Sequence, residues 1–172
     1  SYYAPCEIMH CFGLNTLSIE CLACYLSGYH LEDFLIDYAQ NSGIAPTLCS
    51  YHKTFVGAID SGAVPVPRYA VTTSLSCDGN LNTFRYLEKK KGVPFTFLDV
   101  PYGDDEASVE YLAGQLKDFV RELENRFGKT FDEEKLKKAL EIENETRKEL
   151  VHFFRLQSEY YYPGELISHL YM

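Results

Sequence analysis

The chain has 172 residues, of which 46% are hydrophobic and 24% are charged, which is the balance of a globular protein with one sizeable core. Its formal net charge of −9 argues against a nucleic-acid-binding surface, which needs clustered Lys and Arg side chains to neutralise phosphates. No apolar run reaches the roughly 18 to 20 residues of a membrane span and no signal segment opens the chain, so we expect a cytoplasmic protein with no membrane partner.

The first elements along the chain are predicted to be short. The stretch CEIMHCFG after Pro5 predicts a short helix that ends at Gly13, and LNTLSI after it predicts a strand. Apolar residues at helical spacing then predict a helix over residues 30–43. A second helix is predicted over residues 47–62.

The helix over residues 47–62 places a cysteine at its start. Thr47 and Ser50 are the candidate N-caps, and Gly62 is the predicted stop. Cys49 therefore lies at a helix N-terminus in this interpretation.

The middle of the chain predicts a β-α-β unit. A strand within VPVPRYAVTTSLSCDG leads into a helix over LNTFRYLEKKKG and a strand over VPFTFLDVPY, which indicates parallel strands joined by a right-handed crossover. Lys89, Lys90 and Lys91 fit the C-terminal end of that helix, where the helix dipole favours cations. We therefore expect the α/β class, with a small parallel sheet flanked by helices.

From Asp104 onward two long helices are predicted. The first has one apolar stripe and closes at Gly128; its stripe consists of Leu112, Leu116, Phe119, Val120, Leu123 and Phe127. Thr130 and Glu133 form a capping-box signature that opens the second; its stripe includes Leu136, Leu140, Leu150 and Phe154. We expect these helices to form a hairpin behind the sheet, with a division into an α/β lobe over residues 1–103 and a helical part over residues 104–172.

Both ends of the sequence indicate a piece of a longer protein. The chain opens without an initiator Met, and it closes on YYYPGELISHLYM, whose apolar residues call for something to pack against. We therefore expect further chain beyond this segment.

Six cysteines all fall in the first 77 residues, namely Cys6, Cys11, Cys21, Cys24, Cys49 and Cys77. This distribution does not resemble a disulfide framework, so the thiols are expected to be core residues, nucleophiles or metal ligands. Cys49 and Cys77 both precede predicted helices, whose positive N-terminal ends stabilise thiolates. The spacing leaves two alternatives open, a shared site and two structural thiols.

Other candidate ligands are less specific. Cys21 and Cys24 form a C-x-x-C pattern without a second pair, so a buried helical face is favoured for them over zinc. His10 and His52 lie near cysteines, although a core-satisfied or solvated histidine is more common than a ligand. Glu20, at the end of the predicted LNTLSI strand, is a candidate proton carrier or substrate anchor, or else an N-terminal helix residue.

Four pieces of the sequence together resemble the 2-hydroxyacyl-CoA dehydratase and benzoyl-CoA reductase family. They are CSY, CDG after a strand, the VPFTFLDVPY strand, and the opening that leads to IECLA. The similarity covers nearly the whole chain and is closest to D-component-like subunits. It implies two Rossmann-like lobes that hold a four-iron four-sulfur (4Fe–4S) cluster between them, of which this chain is the first lobe only.

Carried over by motif, Cys49 and Cys77 resemble two of the cluster ligands and Glu20 resembles a carboxylate near the substrate pocket. The remaining cysteine ligand of the family comes from the second lobe, and no cysteine follows Cys77 here. We therefore expect the cluster to be absent or incomplete in this chain by itself, and the chain by itself to be inactive. A contribution from Cys21 or Cys24 is geometrically possible but is not the family's pattern.

The resemblance also implies an activity and partners. In the family an ATP-dependent activator protein supplies one electron, which passes through the cluster to an acyl-CoA thioester, and the resulting ketyl radical anion expels the adjacent hydroxyl group. A related second subunit completes the assembly. Two alternatives remain: an electron-relay or other reductive member that binds no substrate, and a plain structural α/β module.

Overall fold

The computed structural model describes residues 3–75 and 77–161. In these ranges the chain forms, in order, α1 (Cys6–Cys11), α2 (Ile19–Gly28), α3 (Glu32–Asn41), α4 (Ser50–Asp60), β1 (Ala70–Thr73), α5 (Asp78–Lys91), β2 (Phe95–Leu98), α6 (Glu106–Phe127) and α7 (Glu133–Glu159). None of the helices in the described ranges combines the length and the apolar character that crossing a membrane requires.

The sheet is parallel, as the β-α-β pattern predicts. Ala70 of β1 lies opposite Phe95 of β2, and Thr73 lies opposite Leu98, with α5 connecting the strands. Within the described ranges the sheet has these two strands. The α/β class is therefore confirmed in this helix-rich form, while a larger Rossmann-like sheet stays a prediction.

Two apolar clusters pack on the two faces of this small sheet. Neighbouring residues of a strand point to opposite faces, and accordingly Val71 belongs to one cluster and Ala70 to the other. The Val71 cluster includes Phe119 and Leu123 of α6, and the Ala70 cluster includes residues from α2, α4 and α5. Helices thus cover both sides of the strands.

The predicted strand over LNTLSI is wrong. Residues 14–18 form no strand, and Ile19 already begins α2. The burial of side chains does alternate here, with half-buried Leu14 followed by exposed Asn15. A strand also needs a hydrogen-bonded neighbour, however, and within the described ranges β1 and β2 pair only with each other.

Two predicted helix starts are also wrong. Cys49, and not Thr47 or Ser50, is the N-cap of α4. The N-cap of α7 is Asp132 rather than Thr130, because the Asp132 carboxylate accepts hydrogen bonds from the backbone N–H groups of residues 134 and 135. Each start shifts by one or two residues, which is the usual uncertainty of helix boundaries read from sequence.

The two long helices pack against different elements. The stripe of α6 is confirmed, with Phe119 and Leu123 fully buried beside the sheet. In contrast, α7 packs against α1 rather than along α6 and buries no residue among those described, and Ile142 of α7 is 68% exposed. The expected hairpin of these two helices behind the sheet and the division of the chain into two parts stay predictions.

A carboxylate pair joins α1 to α7 and makes stability depend on pH. Burial raises the pKa of Glu7 above its ordinary value of 4.5, and a hydrogen bond with Glu143 and that group's negative charge add to the rise. The folded state therefore holds this proton more tightly than the unfolded state does. The resulting stability is fully present below pH 4.5 and is lost as the pH rises through the raised pKa of Glu7.

Replacing Glu7 by Gln is expected to raise the melting temperature at pH 7, because the variant buries no charge beside Glu143. Thermal unfolding followed by circular dichroism from pH 4 to pH 8 measures the effect, and the gap between variant and wild type should close on acidification. Glu141→Gln, at an exposed position of α7, is the matched control. A gap that is independent of pH would contradict the prediction.

Candidate functional site

The N-termini of α4 and α5 form the candidate site. Cys77 follows the C-terminal end of β1 and is the N-cap of α5, and Cys49 is the N-cap of α4. Both thiols are exposed, and α4 packs against α5. The predicted positions of both cysteines at helix N-termini are therefore confirmed.

A histidine links the two helices at this point. His52, in the first turn of α4, is 4% exposed, and its Nε2 lies 3.6 Å from Cys77 Sγ. Its Nδ1 lies 2.9 Å from the hydroxyl of Thr83 on α5, which is itself buried. Of the readings that the sequence left open for His52, the core-satisfied histidine is the one the structure shows. His10 is exposed, with its Nε2 2.9 Å from Thr16 Oγ1.

A glycine leaves the space that this contact occupies. A Cβ atom added at Gly79 would lie 2.9 Å from His52 Nε2 and 3.1 Å from Cys77 Sγ, which is closer than real Cβ atoms normally approach other groups. The absence of a side chain at residue 79 therefore allows the imidazole and the thiol to meet.

The surroundings of the imidazole favour its neutral form. Burial lowers the pKa of His52, while the negative charge of Glu20 opposes that effect. Glu20 lies in the first turn of α2, half-buried, and accepts a hydrogen bond of 2.7 Å from Ser18 Oγ. The structure thus brings Glu20 into electrostatic range of His52, although it does not follow a strand as expected.

The first turn of α4 also reaches α2. Tyr51 Oη lies 3.3 Å from Cys24 Sγ. This hydrogen bond, together with burial and the charges of Cys24 and Cys49, raises the pKa of Tyr51 to about 12. Tyr51 and His52 therefore tie the helix that begins at Cys49 to α2 on one side and to α5 on the other.

The other cysteines have a different character from Cys49 and Cys77. Cys11 is buried and its Sγ donates to the Glu7 carbonyl at 3.1 Å. Burial raises the pKa of the Cys6 and Cys11 thiols, which disfavours the thiolate form that binds metals. Cys21 and Cys24 lie in α2, as expected, but they are half-buried rather than fully buried.

The donor set among the described residues is incomplete for a metal. Within the described ranges no three His, Cys, Asp or Glu side chains gather closely enough to hold a metal ion. Two exposed thiols at positive helix ends suit a shared cluster whose other ligands come from elsewhere. The roles assigned to Cys49, Cys77 and Glu20 therefore stay predictions.

The profile of a known family, described as 2-hydroxyglutaryl-CoA dehydratase, D-component, matches residues 1–172. The chain belongs to this D-component family. The family resemblance stated from the sequence is therefore confirmed.

Curated relatives of this D-component family member are dehydratase subunits. The (R)-phenyllactyl-CoA dehydratase alpha subunit of Clostridium sporogenes is 21% identical over 84% of this chain and 38% of its own length. The (R)-2-hydroxyisocaproyl-CoA dehydratase alpha subunit of Clostridioides difficile is 22% identical over 82% and 37%, respectively. The alpha subunit of (R)-2-hydroxyglutaryl-CoA dehydratase of Acidaminococcus fermentans is 28% identical over 49% and 19%. The chain thus spans less than two fifths of the length of these relatives.

Sequence reasoning did not identify His52 as a partner of Cys77, it did not consider Thr83, and it included Gly79 only as part of CDG. The D-component sequence does show that residues 79 and 83 lie on one face of α5, because they are four positions apart on one helix. That face could not be matched to His52 without knowledge of how α4 and α5 pack.

Proposed function

We propose that this chain is part of the alpha-type subunit of a 2-hydroxyacyl-CoA dehydratase and that Cys49 and Cys77 supply two thiolate ligands to a 4Fe–4S cluster. The observation that carries the proposal is the pair of exposed thiols at the N-termini of two helices that pack together. Four relatives named as alpha subunits of dehydratases support the assignment of the subunit.

The local chemistry suits thiolate ligands. The first N–H groups of a helix have no partner within the helix, and the helix dipole makes that end positive. Both effects stabilise the negative charge of a Cys49 or Cys77 thiolate and of a cluster bound by it. When bound, such a cluster supplies one-electron transfer.

The remaining ligand cysteine is proposed to come from a second Rossmann-like lobe of the whole subunit. The described part of the chain leaves the Cys49 and Cys77 thiols exposed rather than enclosed, which fits a site completed by another surface. A related second subunit and an ATP-dependent activator that delivers the electron complete the proposed assembly.

The substrate of the proposed reaction is a 2-hydroxyacyl-CoA thioester. One electron reaches the thioester carbonyl, the adjacent hydroxyl group leaves as hydroxide, a proton leaves the neighbouring carbon, and the electron is then given up again, so that the net change is the loss of water. Glu20 is proposed to move a proton in this reaction, because its carboxylate lies in electrostatic range of the buried His52 next to Cys77. An apolar groove of about 480 Å³ lies elsewhere, lined by residues 13–17 and 64–71, and does not include Glu20 or either thiol.

The test is anaerobic purification of the full-length subunit with its partner subunit. We expect iron and acid-labile sulfide in near-equal amounts, and elimination of water from a 2-hydroxyacyl-CoA only when activator and ATP are present. Chromatography of the CoA esters measures the product. Iron without thioester binding would instead support an electron relay, and protein free of iron and sulfide after reconstitution would overturn the proposal.

A further inference from the structure

We propose that His52 and Thr83 are positioning residues that direct the Cys77 thiolate through one chain of hydrogen bonds, for which Gly79 provides the space. The proposal deepens the function proposed above and rests on it where the cluster is concerned. The hydrogen-bond chain itself is a property of α4 and α5, and it can be tested without a cluster.

The direction of each hydrogen bond follows from the chemistry of its ends. A thiolate only accepts hydrogen bonds, so His52 Nε2, at 3.6 Å from Cys77 Sγ, must carry the proton and donate it. A neutral imidazole with a proton on Nε2 has an acceptor at Nδ1. The Thr83 hydroxyl at 2.9 Å must then donate to that nitrogen.

Burial makes this arrangement selective. His52 and Thr83 are 4% and 2% exposed, so water does not readily replace either partner. Thr83 thereby selects the tautomer of His52 that donates to sulfur, in the way that outer partners of metal-binding histidines fix their tautomers.

Gly79 provides independent support for the same contact. Almost any other residue type favours a helix more than Gly does, and Ala is better than Gly by about 1 kcal/mol in a helix interior. Here even a Cβ atom would approach His52 Nε2 to 2.9 Å and Cys77 Sγ to 3.1 Å. The glycine therefore keeps the imidazole next to the thiol at the expense of helix stability.

The chain of hydrogen bonds has two consequences. It holds Cys77 Sγ toward one side of the α5 N-terminus, which lowers the cost of ordering this ligand when a cluster binds. An N–H donor to a ligand sulfur also stabilises added negative charge, so it favours the reduced form of a bound cluster. Loss of the donor should weaken retention of iron and shift the reduction potential to more negative values.

The test uses the full-length subunit carrying His52→Phe, Thr83→Val or Gly79→Ala, with Thr83→Ser as the conservative control. After reconstitution, the first three variants should lose iron to a chelator about tenfold faster than wild type and show more negative midpoint potentials. Thr83→Ser keeps the hydroxyl, so its rate of iron loss and its midpoint potential should both equal those of the wild type. Circular dichroism establishes that each variant is folded.

A second arm uses the apoprotein and a fixed pH. The alkylation rate of Cys77 by iodoacetamide should change in His52→Phe and Thr83→Val and remain at the wild-type value in Thr83→Ser, with Cys49 of the same molecule as the internal reference. Equal Cys77 rates in Thr83→Val and wild type would overturn the hydrogen-bond chain, whether or not a cluster binds. Iron that binds independently of Cys49 and Cys77 would overturn the proposed function alone.

Discussion

Replacing either Cys49 or Cys77 by Ala is expected to remove the cluster. After anaerobic reconstitution and challenge with a chelator, each variant of the full-length subunit should hold less than about one tenth of the wild-type iron. The thiolate-to-iron absorption and the dehydration activity should disappear with the iron. The physical reason is that each change deletes one of the few soft ligands that this site offers.

The matched controls are Cys21→Ala and Cys24→Ala. These thiols lie half-buried in α2, and we interpret them as packing residues. They should keep a full complement of iron, and all four variants should retain the wild-type circular dichroism spectrum. If Cys49→Ala and Cys77→Ala both kept their iron, the two cysteines would be structural thiols.

Gly57→Ala is expected to be the most destabilising single-methyl change in the helices around the site. A Cβ at residue 57 would lie 1.9 Å from the Leu35 carbonyl oxygen and 2.7 Å from its carbon. These are backbone atoms of α3, so relief requires the two helices to move apart. We expect a loss of about 3 kcal/mol in the free energy of unfolding, at the upper end of what overpacking costs.

The matched control for Gly57 lies in α6. A Cβ at Gly114 would meet nothing within 4 Å, so Gly114→Ala should stabilise the protein by up to about 1 kcal/mol through helix propensity. Urea unfolding measures the change in the free energy of unfolding for both variants, and the two changes should have opposite signs. If Gly57→Ala were as stable as wild type, α3 and α4 would not pack as closely as described. Because α4 also carries Cys49 and His52, Gly57→Ala should weaken iron retention as well.

Local patterns in the sequence determined much of the fold. The apolar spacing of α6 predicted the stripe whose centre, Phe119 and Leu123, is buried, and the β-α-β pattern predicted the parallel pairing of β1 with β2. The helical patterns that follow Cys49 and Cys77 predicted that both thiols lie at helix N-termini. Each of these properties depends on residues a few positions apart, so composition and period alone suffice to predict it.

Only the tertiary structure decided which residues meet. LNTLSI has the alternation of a strand but no neighbouring strand to pair with among the described residues, and the amphipathic pattern of α7 does not reveal that this helix packs on α1. Likewise, nothing near His52 in the sequence reveals that its ring faces Cys77 and Thr83 on α5, with Gly79 leaving the space. Such contacts depend on how elements far apart in the sequence pack, and there a single methyl group decides whether two side chains meet. The local period of the sequence does not contain the distance between side chains on different elements.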